Sequence, residues 1–424
     1  MRKTILLLSV MALAILLSSG VVLGQQRSPA PPNSVEGDFV PGEILVKFEP
    51  GASGREVAEA HRQNGGQVEE TIRGLGVQVV SVRSGQERAK VDAYNRNPNV
   101  KYAELNGIAT VSRDPDDPYD NTDWYASSKH GNVQQWAWGK IKAYGAWDKT
   151  TGSSSVKVAV VDTGIDSSHP DLPAVVLHKD YYTTNNAEDD NGHGTHVAGT
   201  IGASTNNTTG VAGSNWGVEL MAVKALNKNG SGSYANIADG IIWAANNGAK
   251  VINLSLGGTY DSTTLRNAVD AAWNKGAVLA CAAGNSGSTR RNYPGAYTNC
   301  IAVGATNETD QKASFSNYSK KWVDIGAPGV HILSTMPNSP VTLTTSSGYY
   351  ENYDSLNGTS MATPHVAGVA GLVWSTGLCD DNNVTTNDNP CVRNRIESRA
   401  DQISGLANYW PNGRRLNALN SVSP

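Results

Sequence analysis

Hydrophobic and polar positions follow two regimes along this chain. From about Pro115 onward, short runs that are almost wholly apolar recur at Val156–Val161, Val218–Val223, Lys250–Leu254, Ala277–Ala282 and Ile301–Val303. Strands covered on both faces have this character. Between them lie helical stripes: Ala238, Ile241, Ile242 and Ala245 fall at i, i+3, i+4, i+7, and Leu265, Ala268, Val269 and Ala272 repeat the spacing. Strand and helix in alternation predict right-handed crossovers and an α/β fold, a doubly wound, mostly parallel sheet with helices on both faces. Ligands of such sheets bind beyond the carboxyl ends of the strands.

The stretch from Phe39 to Val111 reads differently. Strands are predicted at Glu43–Phe48, Val77–Val82 and Val100–Leu105, with helices over Arg55–Gln63 and Glu87–Tyr94. That order suits a small α+β unit of ferredoxin-like, βαββαβ type. Ser112–Pro118 then combines two prolines with dense charge, an exposed linker where a protease could cut. At the other end, Arg2 and Lys3 precede an apolar run, Ile5–Leu17, and a small-residue exit. This is the pattern of a secretory signal, and the run is shorter than the about 20 residues a spanning helix needs. The expected division is 1–24, 25–112 and 113–424, with export to the extracellular space and no stable membrane association.

Composition narrows the field further. Charged residues make up 17% of the 424, and 34 Lys plus Arg against 38 Asp plus Glu leave a net charge of −4. Such a surface does not track a phosphate backbone, so nucleic acid is excluded as a partner. Four cysteines invite disulfides in an exported chain. Cys379 and Cys391 flank an Asp- and Asn-rich loop, which favours a local bridge. Cys281 and Cys300 sit in apolar runs, where buried thiols and a second bridge are both open.

Chemistry gathers at three blocks. Asp162 directly follows an apolar strand in Val160-Val161-Asp162-Thr163-Gly164, where a turn cap is the ordinary alternative. His193 lies in Asn191-Gly192-His193-Gly194-Thr195-His196. Zinc hydrolases pair histidines at i, i+4 with an adjacent Glu; here the spacing is i+3 and the Glu is missing, so His196 is expected to be structural. Ser360, in Gly358-Thr359-Ser360-Met361-Ala362, is placed at a helix N-terminus, where the dipole favours developing negative charge or a plain N-cap serves. A nucleophile elbow would need its histidine after the serine; His365 lies on the same helix and points elsewhere. The order Asp, His, Ser fits another arrangement of the same triad. Asn285, at a strand end in Ala282-Ala283-Gly284-Asn285, is positioned to donate to an oxyanion.

Together Asp162-Thr163-Gly164, His193-Gly194-Thr195-His196 and Gly358-Thr359-Ser360-Met361-Ala362, with Asn285 between, resemble the subtilisin-like serine proteases, nearest to their thermitase branch. The resemblance covers nearly all of Pro115–Ser421. Phe39–Asn106, ending in Asn97-Pro98-Asn99-Val100-Lys101-Tyr102-Ala103-Glu104, is similar to the propeptide of that family. It implies a secreted, monomeric serine endopeptidase made as a self-processing zymogen, inhibited by its own propeptide. Ser360 would be nucleophile, His193 general base, Asp162 its orienting partner and Asn285 the oxyanion donor. Ser255, Leu256, Gly257 and Gly258 would pair with extended polypeptide substrates of broad sequence, Gly257 lining the P1 pocket and favouring apolar P1. The resemblance also implies structural calcium, with Asp117, Asp171 and Asn207 as side-chain ligands and carbonyls near Ser204, Thr209 and Val211. Three departures stand out: few carboxylates follow Asp180, Val197 stands where thermitase-like enzymes carry cysteine, and Cys379–Cys391 resembles an insertion. The competing readings are an inactive subtilase scaffold, which would normally have lost one of these four groups, and a metal-dependent hydrolase.

Overall fold

The computed structural model describes residues 39–111, 135–184, 186–207, 209–380 and 388–424. The expected signal segment, the Ser112–Pro118 linker and Asp117 lie outside them.

The N-terminal unit runs β1 (Phe39–Phe48), α1 (Gly54–Asn64), β2 (Gln67–Ile72), β3 (Val77–Ser81), α2 (Glu87–Asn95) and β4 (Val100–Val111). Its antiparallel sheet has the order β4-β1-β3-β2, the ferredoxin-like arrangement. Helix α1 starts with a capping box, Ser53 accepting from the Glu56 amide while the Glu56 carboxylate accepts from Ser53 N–H. It ends on Gly65 in the left-handed region. Ile44, Val46, Ala60, Val80 and Tyr94 form the small core between sheet and helices.

The second unit contains a nine-stranded sheet. Its strands are β5 (Lys157–Asp162), β6 (Val175–Asp180), β7 (Glu219–Lys224), β9 (Val251–Leu254), β11 (Val278–Ala282), β12 (Cys300–Thr306), β13 (Ile325–Pro328), β16 (Asp401–Gln402) and β17 (Arg414–Arg415), in the order β16-β17-β13-β12-β11-β9-β5-β7-β6. Every pair is parallel except β16 with β17. Helices α3 (His193–Gly202), α4 (Tyr234–Asn246), α5 (Thr263–Asn274), α6 (Thr359–Ser375) and α7 (Asn389–Ser398) cover it. The apolar strands earn that cover: β9 and β11 are buried at every position. Their alternate side chains feed two separate cores, Val158, Val160, Val251 and Val278 on one face and Ala159, Val161, Ile252 and Leu279 on the other. Beside this sheet stand the short strands β8 (Ser231–Ser233) and β10 (Leu256–Gly257), and the hairpin β14 (Ile332–Thr335) with β15 (Tyr353–Leu356).

Both cysteine pairs are bridged, Cys281 to Cys300 and Cys379 to Cys391. The first, which the sequence left open, links neighbouring parallel strands β11 and β12.

Strand β4 serves both units. Its first part pairs with β1, whereas its last residues enter a slot between β8 and β10, with Ile108 opposite Ser233, Thr110 opposite both Ser231 and Gly257, and Val111 opposite Leu256. Two acidic or amide groups of β4 secure the approach. The Glu104 carboxylate accepts from Ser262 Oγ and from the amides of Thr263 and Thr264, capping α5. Asn106 Oδ1 accepts from the Ala235 amide in the first turn of α4. Free first-turn amides and the positive helix end make both contacts favourable.

Candidate active site

Asp162 closes β5, fully buried, at the carboxyl edge of the sheet. Its turn continues through Gly164, held at φ +113°, where a side chain would strike the Ala187 carbonyl. His193 opens α3, and its Nδ1–H donates to Asp162 Oδ1 at 2.8 Å. Gly194 lets the helix start lie this close: a Cβ there would sit 2.1 Å from the Gly164 carbonyl oxygen. The Asp162–His193 pair was legible in the sequence; its support was not. Asp189 accepts from the amides of Asn191, Gly192 and Thr195 and from the hydroxyls of Thr163 and Thr195. Thr163 Oγ1 in turn accepts from Gly194 N–H. One buried carboxylate thus fixes the Asp162 turn and the His193 helix together. An Asp four residues before the histidine was the available signal, a helix-cap pattern that carries no catalytic label.

Lys224 is a second such group. In register with Asp162 at the end of β7, it is fully buried and donates to the Thr163 carbonyl and Asp190.

Ser360 is the second residue of α6. Pro364, within that helix, has no N–H to give to the carbonyl four residues back, which is that of Ser360. Ser255 Oγ takes the vacancy, donating to the Ser360 carbonyl at 2.7 Å. The Ser360 hydroxyl donates to the Ser255 carbonyl at 3.0 Å. His193 Nε2 is buried and accepts no hydrogen bond among the described residues. Of the expected relay, the Asp162–His193 link is made, while the Ser360 hydroxyl is bonded to the Ser255 carbonyl.

Asn285 Oδ1 accepts from Thr359 N and Thr359 Oγ1, which locks the amide and leaves Nδ2 unspent. A Cβ on Gly358 would lie 3.3 Å from Asn285 Nδ2 and 3.5 Å from Ser360 N. Asn285 Nδ2 and the Ser360 amide nitrogen thus both lie close to Gly358.

Of the residues expected to pair with substrate, Leu256 and Gly257 pair with β4, and Gly258 pairs with Tyr293. His196 is structural, as expected; its Nε2–H donates to the Ile332 carbonyl, and burial holds its pKa down at about 3, helped by the neighbouring His193. His365 likewise donates Nδ1–H to the Met361 carbonyl and packs on Trp138, and burial lowers its pKa to about 4.

Of the residues expected at calcium, Asp171 is fully buried and has no ion-pair partner among the described residues. Burial pushes its carboxyl pKa up. Oδ1 accepts from Asn207 Nδ2 and Oδ2 from Val211 N–H, Ser204 N–H donates to the Asp171 carbonyl, and Thr209 N–H donates to Asn207 Oδ1. Asp171 is thus bonded to Asn207, Val211 and Ser204. A buried carboxylate without a counter-charge, wrapped by a carbonyl-bearing loop, fits a hard cation. No helix among the described residues is long and apolar enough to cross a membrane.

The fold and this geometry match known proteins. Residues 153–408 match the subtilase family and residues 26–106 the fervidolysin N-terminal prodomain. The chain belongs to the subtilase family and is a subtilisin-like serine protease with an N-terminal prodomain. It is 41% identical to a thermophilic serine proteinase of Bacillus sp. (strain AK1), over 92% of this chain and 89% of that one. It is 46% identical to thermitase of Thermoactinomyces vulgaris, over 73% of this chain and 99% of that one. Subtilisin Savinase of Lederbergia lenta is 44% identical over 66% and 95%.

Proposed function

We propose that the chain is an exported endopeptidase that cuts itself free of its prodomain and then hydrolyses polypeptides through an acyl-enzyme on Ser360. The observation that carries this reading is the buried Asp162–His193 hydrogen bond in a chain of the subtilase family, and the unspent Asn285 Nδ2 near the Ser360 amide supports the oxyanion role. Ser360 Oγ attacks the scissile carbonyl as His193 Nε2 accepts its proton. The imidazolium, stabilised by Asp162, returns the proton to the leaving amine; water then releases the acyl group by the same route. Asn285 Nδ2 and Ser360 N–H bind the oxyanion. Main-chain pairing along Ser255–Gly258 supplies affinity with little side-chain demand, which supports broad specificity with apolar P1.

Processing follows from the register. The described pairing of β4 ends with Thr110 opposite Gly257 and Val111 opposite Leu256, next to Ser255, whose carbonyl holds the Ser360 hydroxyl. The proposed bond to be cut, Ser112–Arg113, follows directly on that paired stretch in the sequence. The proposed parts are a signal peptide, 1–24, a propeptide, 25–112, and a monomeric peptidase, 113–424. Asp171 and Asn207, with Asp117 and the carbonyls of Ser204, Thr209 and Val211, would hold a structural calcium that neutralises the buried carboxylate.

The purified precursor and its Ser360→Ala form, followed by mass and N-terminal sequencing, test this. Only the Ser360 form should shorten, with a new terminus at Arg113; equal shortening of both would end the self-processing reading.

A further inference from the structure

The loop after Asn285 forms one side of the substrate cleft. Asn292 Nδ2 donates to the Ala282 carbonyl at 3.1 Å, and its amide lies against Gly257, where a Cβ would meet Nδ2 at 2.0 Å. Tyr293 next to it pairs with Gly258. Arg290 and Arg291 directly precede Asn292, so their backbones lie within about 8 Å of it.

A second loop packs on this one. Tyr318 N–H donates to the Ser288 carbonyl at 3.0 Å, Trp322 Nε1 to the Thr289 carbonyl at 3.3 Å, and Asn317 Nδ2 to the Ala283 carbonyl at 2.9 Å. Lys320 and Lys321 lie between Tyr318 and Trp322, on the segment bonded to Ser288 and Thr289. All four cations are exposed, and none has an ion pair or side-chain hydrogen bond among the described residues. Asp324, three residues beyond Lys321, is engaged by Arg393. A chain of net charge −4 thus carries four exposed, unpaired positive charges on two loops that bond to each other, one of them bearing Asn292 against Gly257.

We propose that this rim selects acidic polypeptides: Arg290, Arg291, Lys320 and Lys321 draw in substrates that carry carboxylates beside the cleaved bond. The inference deepens the protease reading and rests on it. Clustered charge of one sign at a cleft raises local substrate concentration and association rate, and salt suppresses it. The effect belongs to capture, so it acts on KM and leaves kcat alone.

Two internally quenched peptides with the same apolar core, flanked by Glu in one and Gln in the other, provide the test on the processed enzyme. At low ionic strength the Glu peptide should show a kcat/KM about tenfold higher, through KM. The advantage should vanish near 1 M salt, where the screening length is about 3 Å. An Arg290→Gln, Arg291→Gln, Lys320→Gln, Lys321→Gln variant with unchanged melting temperature should lose the preference. Exchanging Lys for Arg and Arg for Lys at the four positions should keep it. Equal cleavage of the two peptides by the unaltered enzyme at low salt overturns the proposal, as does a preference surviving in the Gln variant. Failure to cut either peptide would count instead against the protease reading.

Discussion

Ser360 and Ser255 hold each other twice: each hydroxyl donates to the other's backbone carbonyl, at 3.0 and 2.7 Å. Ser360 is thereby fixed at its main chain, and its hydroxyl is held by the Ser255 carbonyl. Ser255→Ala strips the partner from the buried Ser360 carbonyl and from Asn253 Nδ2. A loss of about 1–3 kcal/mol of stability is expected, read by calorimetry in a Ser360→Ala background that cannot digest itself. A melting temperature unmoved by the change would show that the Ser360 carbonyl finds another donor.

Asn285 separates two roles by atom. Asn285→Ala should lower kcat by about 10²–10³ with little change in KM. Asn285→Asp keeps the acceptor that serves Thr359 and replaces only the donor, so its helix start survives while a carboxylate occupies the oxyanion space. Steady-state kinetics should place Asp below Ala, whereas thermal melts should place it above.

Glu104 lies in the prodomain yet serves a helix of the enzyme. Its carboxylate satisfies three donors at the start of α5, and charge-assisted bonds of this kind are worth about 1.5–3 kcal/mol. Glu104→Ala should shorten the lag before proteolytic activity appears in purified precursor by about tenfold or more. An unchanged lag would mean that another contact limits release.

Acid should weaken the fold through two buried histidines. In the native state burial holds His196 at about 3 and His365 at about 4, against an ordinary value of 6.5. Below pH 6.5 the unfolded chain gains protons that the native sites refuse, so stability falls as pH drops toward 4 and 3, and neither group contributes a slope above 6.5. At pH 5 each costs about 2 kcal/mol. Denaturant unfolding of the Ser360→Ala protein between pH 7.5 and 5 should show this, and His365→Gln should remove about half of that loss. Parallel profiles for both proteins would remove His365 from the account.

Chelation provides a test of the Asp171 site. If calcium is bound at 100 times its Kd, removing it costs about 2.7 kcal/mol, seen as a lower melting temperature in EDTA. Asp171→Asn should melt at one temperature with or without calcium; a calcium dependence as large as before would place the ion elsewhere.

The parts of the site that were legible in the sequence are those whose chemistry has a residue type and an order, namely Asp162, His193, Asn285 and Ser360. Apolar runs likewise located β5, β7, β9 and β11 to within a residue, and the i, i+3, i+4 stripes fell inside α4 and α5. Strand β2 escaped because Gln67–Glu70 is exposed and Val68 is its one apolar residue, too little for a pattern. Asp189 and Lys224 escaped for a different reason: their value comes from partners brought together by folding, and neither has a local pattern apart from an ordinary cap or strand end. The Cys281–Cys300 bridge joins strands adjacent in the sheet, an adjacency set by βαβ packing, which spacing does not encode.

The final residues of β4 are laced to β8 on one flank and β10 on the other. Hydrolysis of the bond that follows severs connectivity without undoing a single rung of either ladder, so the first product is also the first occupant of the cleft. Bond scission and the onset of turnover are therefore separate clocks, the second set by peeling an edge-to-edge seam, and dilution after cutting should hasten activity only once that seam has opened.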